Sequence, residues 1–384
     1  WKLDVLSYFN FFERNWFIAN GPDSSKPTTN GQFLREFFVF GVEPRLRWKN
    51  WVAGLRLHHE QQDDIRRQGN SAAARGGVTT RDADLSTDAV VGYIETEFKP
   101  WKGFAFTTGV RHEALYQDRT IGLLKGAGGT GDEVVTHQTL YGFGAVQKVT
   151  NALNIFFDIR KAFQPLTFNQ AVNPTTGTKN DLDPGTSVNY EAGARFDLPS
   201  RRLHADVTFF RLDFSNQIVS QAGVLTNAGE TRHQGIEASL AYSPWQYLTF
   251  DGSLTFMVAE AIAGVNKDKD LPMAPGQLYN WGIEYQRPFS KNKTGNLRLE
   301  GRFVDDQFTD SANTVAESAN GNKGLLPSYT VWNLKAELNA GSWSVFAGVN
   351  NLFDNKYRVR RQSFFNGIIP GLTQNFFAGA TFKF

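Results

Sequence analysis

The chain has 384 residues, 14% of them Phe, Tyr or Trp, and a mean hydropathy of −0.38. No apolar run approaches the roughly 18 residues that a membrane-spanning helix needs, so a helical membrane protein is excluded. Lys and Arg number 40 against 38 Asp and Glu, a formal charge of +2 that offers no bulk field toward nucleic acid, and the lack of cysteine rules out disulfides and thiolate metal sites.

The 33 Phe against 2 Met suit strands that alternate aromatic and polar side chains. The chain opens on such a pattern at Lys2–Phe12, without Met or a signal sequence, so an N-terminal portion is expected to have been removed or to lie outside it. Further on, Leu153, Ile155, Phe157 and Ile159 share one side of a strand, and Tyr190, Ala192, Ala194, Phe196 and Leu198 oppose Glu191, Arg195 and Asp197. Ile236, Ala238, Leu240 and Tyr242 turn through residues 243–246 into a strand carrying Leu248, Phe250, Leu254 and Phe256, with Glu237, Ser239, Thr249, Asp251 and Ser253 on the other side. Trp332, Leu334, Ala336 and Leu338 face away from Asn333, Lys335 and Glu337, and residues 339–342 close a tight hairpin onto Trp343, Val345, Ala347 and Val349. The last strand sets Phe376, Ala378, Ala380, Phe382 and Phe384 against Phe377, Gly379, Thr381 and Lys383. Counting from the start gives about sixteen such segments.

Short links fall at 49–51, 99–103, 149–151, 199–202, 243–246, 289–295 and 339–342; long ones, rich in Gly, Asn, Asp, Thr and Lys, include 68–85 and 173–186. That bias predicts an all-β transmembrane antiparallel barrel with short periplasmic turns and long extracellular loops in a bacterial outer membrane. Trp48, Trp51, Trp101, Trp245 and Trp343 lie beside the short turns and suit an interfacial girdle at headgroup level.

The run His58–Asp64 offers two His and three acids, but adjacent His58 and His59 point to opposite faces of a strand and cannot share an ion. No nucleophile elbow, Walker loop or dinucleotide fingerprint is present, so no enzyme, metal site or resident cofactor is expected. Arginine is more informative. Arg14, Arg35, Arg66, Arg67, Arg75, Arg81, Arg111, Arg119, Arg232, Arg358, Arg360 and Arg361 fall at or near strand ends that feed long links, which predicts a cationic vestibule that concentrates anions.

The segment VNNLFDNKYR (349–358), the GIIPG that follows at 367–371 and a closing strand ending in Phe resemble the C-terminal signature of TonB-dependent outer-membrane receptors. FFERNWF (11–17), GVEPRLR (41–47), SVNYEAGARF (187–196), residues 227–242 and residues 270–285 resemble the ferric dicitrate branch of that family, so the likeness spans nearly the whole chain. It implies a barrel of about 22 strands closed around a plug, with residues 1–384 forming its last sixteen or so. The plug and about six strands would lie outside this chain. It also implies active uptake of a ferric chelate such as ferric citrate, with iron only as part of the cargo. A TonB-type energy-coupling protein would act through the plug, and lipid and lipopolysaccharide would surround the wall. Within the resemblance Arg14, Arg35 and Arg81 fall where that branch clusters its ligand-binding arginines, and Gln217 and Asn366 would add hydrogen bonds from the opposite wall. A passive porin, a surface adhesion or phage-docking barrel, and the same importer with another siderophore or a carbohydrate as cargo remain open alternatives.

Overall fold

A computed structural model describes residues 1–20, 28–124, 127–173, 176–221, 224–362 and 367–383. Period-two alternation becomes long strands: β1 (Lys2–Asn20), β2 (Thr29–Trp48), β3 (Trp51–Gly69), β4 (Val78–Phe98), β5 (Phe104–Leu124) and β6 (Ala127–Lys148). There follow β7 (Leu153–Gln164), a helical turn α1 (Phe168–Ala171), β8 (Gly185–Leu198), β9 (Leu203–Gln221), β10 (Val224–Trp245) and β11 (Leu248–Ala263). The chain ends with β12 (Gln277–Ser290), β13 (Lys293–Val304), β14 (Tyr329–Ala340), β15 (Trp343–Asn350), β16 (Arg358–Gln362), β17 (Gly367–Pro370) and β18 (Asn375–Phe382). Sixteen of these, β1 to β15 and then β18, form one sheet in chain order, while β16 and β17 make a separate hairpin. Every pairing is antiparallel, so the sheet is an up-and-down meander.

Directly opposed residues share a face, and the register carries one face across the whole sheet. Leu55 opposes Gly92, Val110 opposes Tyr141, Ala192 opposes Phe209, Leu254 opposes Tyr279, and Ala336, Ala347 and Ala378 form a row. This face is apolar and exposed: Leu55, Val90, Ile94, Val110, Phe143, Phe157, Phe209, Ile283 and Val345 all lie on it. Charges occupy the other face, where Arg298 grips Asp251 through two hydrogen bonds of 2.7 and 2.9 Å and Arg56 pairs with Glu43 at 3.0 Å. His58 joins this polar face through Tyr8 at 2.8 Å, whereas His59 meets Asp88 on the apolar side. An apolar exterior over a charged interior reverses the usual arrangement of a water-soluble protein.

Buried apolar clusters are small and sit under the connection between β7 and β8. Val134, Leu166, Ala171, Val172 and Leu182 form one, and Ala83, Leu85 and Ile121 form another with Phe168 against it. At one end of the sheet the hairpins are tight; Lys49 and Gly103 take positive φ (52° and 82°) to make two of these turns. Trp48, Trp51, Trp101, Trp245 and Trp343 are all exposed at this end, with Trp48 stacked on Trp1 at 5.1 Å.

The other end departs from the sequence expectation in two places. The link expected at 68–85 is shorter, because β4 begins at Val78 and residues 81–85 are strand. Arg81, Ala83 and Leu85 alternate there with Asp82 and Asp84, a period hidden by small and charged side chains. The link expected at 173–186 starts earlier, after Gln164, and contains α1. Among the described residues, β1 pairs only with β2 and β18 only with β15.

Leu55→Arg, on the apolar face, is expected to destabilise the folded sheet in a lipid bilayer by about 2–4 kcal/mol. Thr107→Arg, on the polar face, should stay within about 0.5 kcal/mol of the parent. Denaturant titration in liposomes measures both, and equal costs would contradict the assignment of faces.

Candidate ligand-binding site

At the loop end of β1 to β4 the polar face becomes a small lattice. Arg14 on β1 opposes Arg35 on β2, which opposes Asp64 on β3, which opposes Ala83 on β4. One step toward the loops the row is Trp16, Phe33, Arg66 and Arg81; one step back it is Phe12, Phe37, Gln62 and Leu85. Four guanidiniums therefore share this face with one carboxylate. Like charges set directly opposite each other repel, so both the Arg14–Arg35 and the Arg66–Arg81 pairing need compensation.

Asp64 supplies most of it. Its carboxylate accepts from Arg35 Nε at 3.1 Å and Arg66 Nη2 at 3.0 Å, and lies 3.3 Å from Arg81 Nε. The Asp64 side chain is only 4% exposed and that of Arg81 8%, whereas Arg35 and Arg66 keep 26% and 34%. Arg81 Nε is buried without a hydrogen-bond partner, the 3.3 Å approach lacking the necessary angle. Aromatic rings carry the remaining charge: Arg14 lies 4.0 Å from the Trp16 ring centroid and 5.8 Å from that of Phe37, and Arg66 lies 5.4 Å from that of Phe33. Phe12 stacks on Phe37 at 4.3 Å, so the platform behind Arg14 is stiff. Guanidinium forks held this way can grip carboxylates or phosphates bidentately.

Three of the five residues singled out from the sequence, Arg14, Arg35 and Arg81, thus come together on one face of β1, β2 and β4, across β3. Gln217 does not join them. It sits on β9 opposite Gly229 and lines a separate recess of about 390 Å³ with Thr231, Ala261, Lys269, Asp270 and Ser311, beneath the link from β11 to β12. Asn366 lies outside the described residues. Arg66 and Asp64 complete the lattice, and the i, i+2 spacing within β3 is the sequence signal that places both on one face.

Several other arginines lie outside this lattice, each claimed by a partner. Arg232 lies on the apolar face, paired with Asp213 at 2.8 Å, and Arg111 pairs with Glu113 within β5. Arg361 is buried and donates to Gly321 O, Gly324 O and Glu317, to which Arg358 also binds at 2.7 Å. Beside these two guanidiniums the Glu317 carboxyl is held below the usual carboxylate range. Arg119 is buried under the β7–β8 link and donates to Asn169 Oδ1 at 3.0 Å and Val172 O at 3.2 Å, while Gln117 donates to Leu166 O at 2.9 Å. Nearness to a strand end says nothing about which face a side chain takes or which partner claims it.

Removing Arg119 leaves two acceptors unpaired. Arg119→Ala should weaken the attachment of residues 165–184 by about 1–3 kcal/mol, read as faster hydrogen exchange there with the exchange of β12 to β15 unchanged. Unaltered protection would show that the apolar clusters hold this link alone.

A long antiparallel meander, apolar outside and charged inside, trimmed at a tryptophan-lined end and elaborated at the other, is the wall of a transmembrane β-barrel. The chain belongs to the TonB-dependent receptor-like β-barrel family, whose model matches residues 1–352. It is 25% identical over 299 residues to the metal-pseudopaline receptor of Pseudomonas aeruginosa strain PAO1, covering 74% of this chain and 39% of that protein. It is 27% identical over 205 residues to the ferric enterobactin receptor of the same organism, covering 49% of this chain and 26% of the relative. Among solved structures it resembles the unliganded ferric citrate transporter FecA with a TM-score of 0.82 at 23% identity, covering 99% of this chain and 58% of that one. The ferric yersiniabactin uptake receptor of Yersinia pestis gives a TM-score of 0.75 at 13% identity, covering 98% of this chain and 58% of that one. The chain thus spans well under two thirds of these relatives, which are receptors and transporters rather than enzymes.

Proposed function

We propose that this chain is the larger part of the wall of an outer-membrane importer that takes up an anionic ferric chelate, with ferric citrate or a similar siderophore as cargo. The observation that carries it is the lattice of Arg14, Arg35, Arg66 and Arg81 against the single carboxylate of Asp64, at the loop end of the charged face. Such an excess of partly buried positive charge is costly unless an anion arrives to share it. The metal-chelate receptors among the relatives support the cargo class. In this reading the loop end is extracellular and the tryptophan-lined end periplasmic, with lipid and lipopolysaccharide around the apolar face.

Unpaired sheet edges are prohibitively costly in hydrocarbon, and in this reading the barrel closes around a plug through which a TonB-type partner supplies energy. Iron passes only as cargo, without covalent chemistry by the protein. One observation favours a second cargo. Phe12, Phe37, Trp16 and Phe33 interleave with the arginines, which suits a chelate that also carries planar aryl groups. Competition between ferric citrate and a ferric catecholate separates the two.

Deleting the gene should abolish uptake of radiolabelled ferric citrate. Arg35→Ala and Arg81→Ala should each weaken ferric citrate binding by about 10- to 100-fold, from the loss of charge-assisted hydrogen bonds, whereas Arg232→Ala on the apolar face should leave affinity unchanged. Ferric citrate uptake that survives deletion would overturn this cargo, and a stable open conductance from the purified protein would overturn the importer in favour of a porin.

A further inference from the structure

The lattice contains a charge that works against anion capture, and its placement has a consequence for selectivity. Asp64 is almost fully buried among Arg35, Arg66 and Arg81, at the point where one small oxyanion would best satisfy all three. Repulsion between the arginines would favour such an ion, and abundant small anions would then fill the site.

We infer that Asp64 is the selectivity-determining residue of this site: a resident carboxylate in the position of a single small oxyanion, which restricts the site to ligands presenting several oxyanions spaced apart. This rests on the importer reading for the cargo, but the exclusion of small anions does not depend on it. With the centre filled, the exposed edges of Arg35 and Arg66 remain, with the half-buried Arg14 beside them, spread over β1, β2 and β3. One phosphate or acetate cannot reach these donors together without meeting the Asp64 charge. A metal chelate, with carboxylates fixed around its surface, engages them separately and leaves Asp64 in place. The rings of Trp16 and Phe37 hold Arg14 apart from the Asp64 cluster, which keeps this outer donor separate from the others.

The test is isothermal titration of the receptor, purified from outer membranes as its gene encodes it, with inorganic phosphate, iron-free citrate and ferric citrate. Asp64→Asn, nearly isosteric, should gain affinity for phosphate by about ten-fold or more, the scale of a charge-assisted hydrogen bond, with ferric citrate bound no more tightly than before. Asp64→Ser, a second variant should the amide misfold the site, should show the same gain. Asp64→Glu keeps the charge and should exclude phosphate as the parent does. Arg66→Gln added to Asp64→Asn should erase the gain and so locate it in this cluster. Folded Asn and Ser variants that gain no phosphate affinity, or lose all three ligands in parallel, would reduce Asp64 to a structural counter-ion. If phosphate binding is gained while no variant binds ferric citrate, the cargo is misassigned and the role of Asp64 stands.

Discussion

A strand that crosses a bilayer has no water with which to satisfy its backbone, so each N–H and C=O must find its partner in the neighbouring strand. That requirement produces the meander, in which each transmembrane strand pairs with its neighbours in chain order. It fixes the side chains as well. With backbone bonding confined to the plane of the sheet, alternate residues meet lipid and lumen, and one step of slippage would send Arg56, Arg111, Arg160 and Arg195 into hydrocarbon. Stability then comes from the ladder and from apolar contact with lipid rather than from a conventional core.

The same register builds the arginine lattice. At the loop end of β1 to β4 the lumen rows carry arginine while Glu13, Glu36, Asp63, Asp82 and Asp84 take the opposite face, so there charge of opposite sign is sorted across one thickness of sheet. Charge at this end of the lumen side thereby becomes net positive without a basic sequence overall. Asp64 is the one acid within this loop-end lattice, and its burial among guanidiniums turns a loose group of cations into an ordered one. Trp16, Phe33 and Phe37 brace the more exposed arginines from beside and below.

Much of the wall was legible in the sequence because period-two alternation survives local irregularity. Ile236 to Tyr242 and Trp332 to Leu338 declare their faces without help from the rest of the chain. The start of β4 was not legible, since Thr79 to Asp84 lacks large apolar residues to mark the period and its strand character comes from pairing with β3. Nor was the inward fold of residues 165–173 and 176–184, where single residues such as Leu166, Val172 and Leu182 are apolar anchors for distant strands. The site was legible in part. Resemblance pointed to Arg14, Arg35 and Arg81, but only cross-strand register unites them with Arg66 and Asp64, and only tertiary contact shows that Arg119 and Arg361 serve as loop anchors.

The central claim is that one register separates a lipid face from a hydrated lumen along the entire sheet. Nitroxide labels placed singly along β5, from Phe104 to Ala114, in the receptor reconstituted into bilayers would test it most directly. Collisional accessibility to oxygen should peak at Phe106, Thr108 and Val110, while accessibility to a water-soluble nickel chelate should peak, out of phase, at Ala105, Thr107 and Gly109. Profiles that rise and fall together, or that lack a two-residue period, would contradict the account.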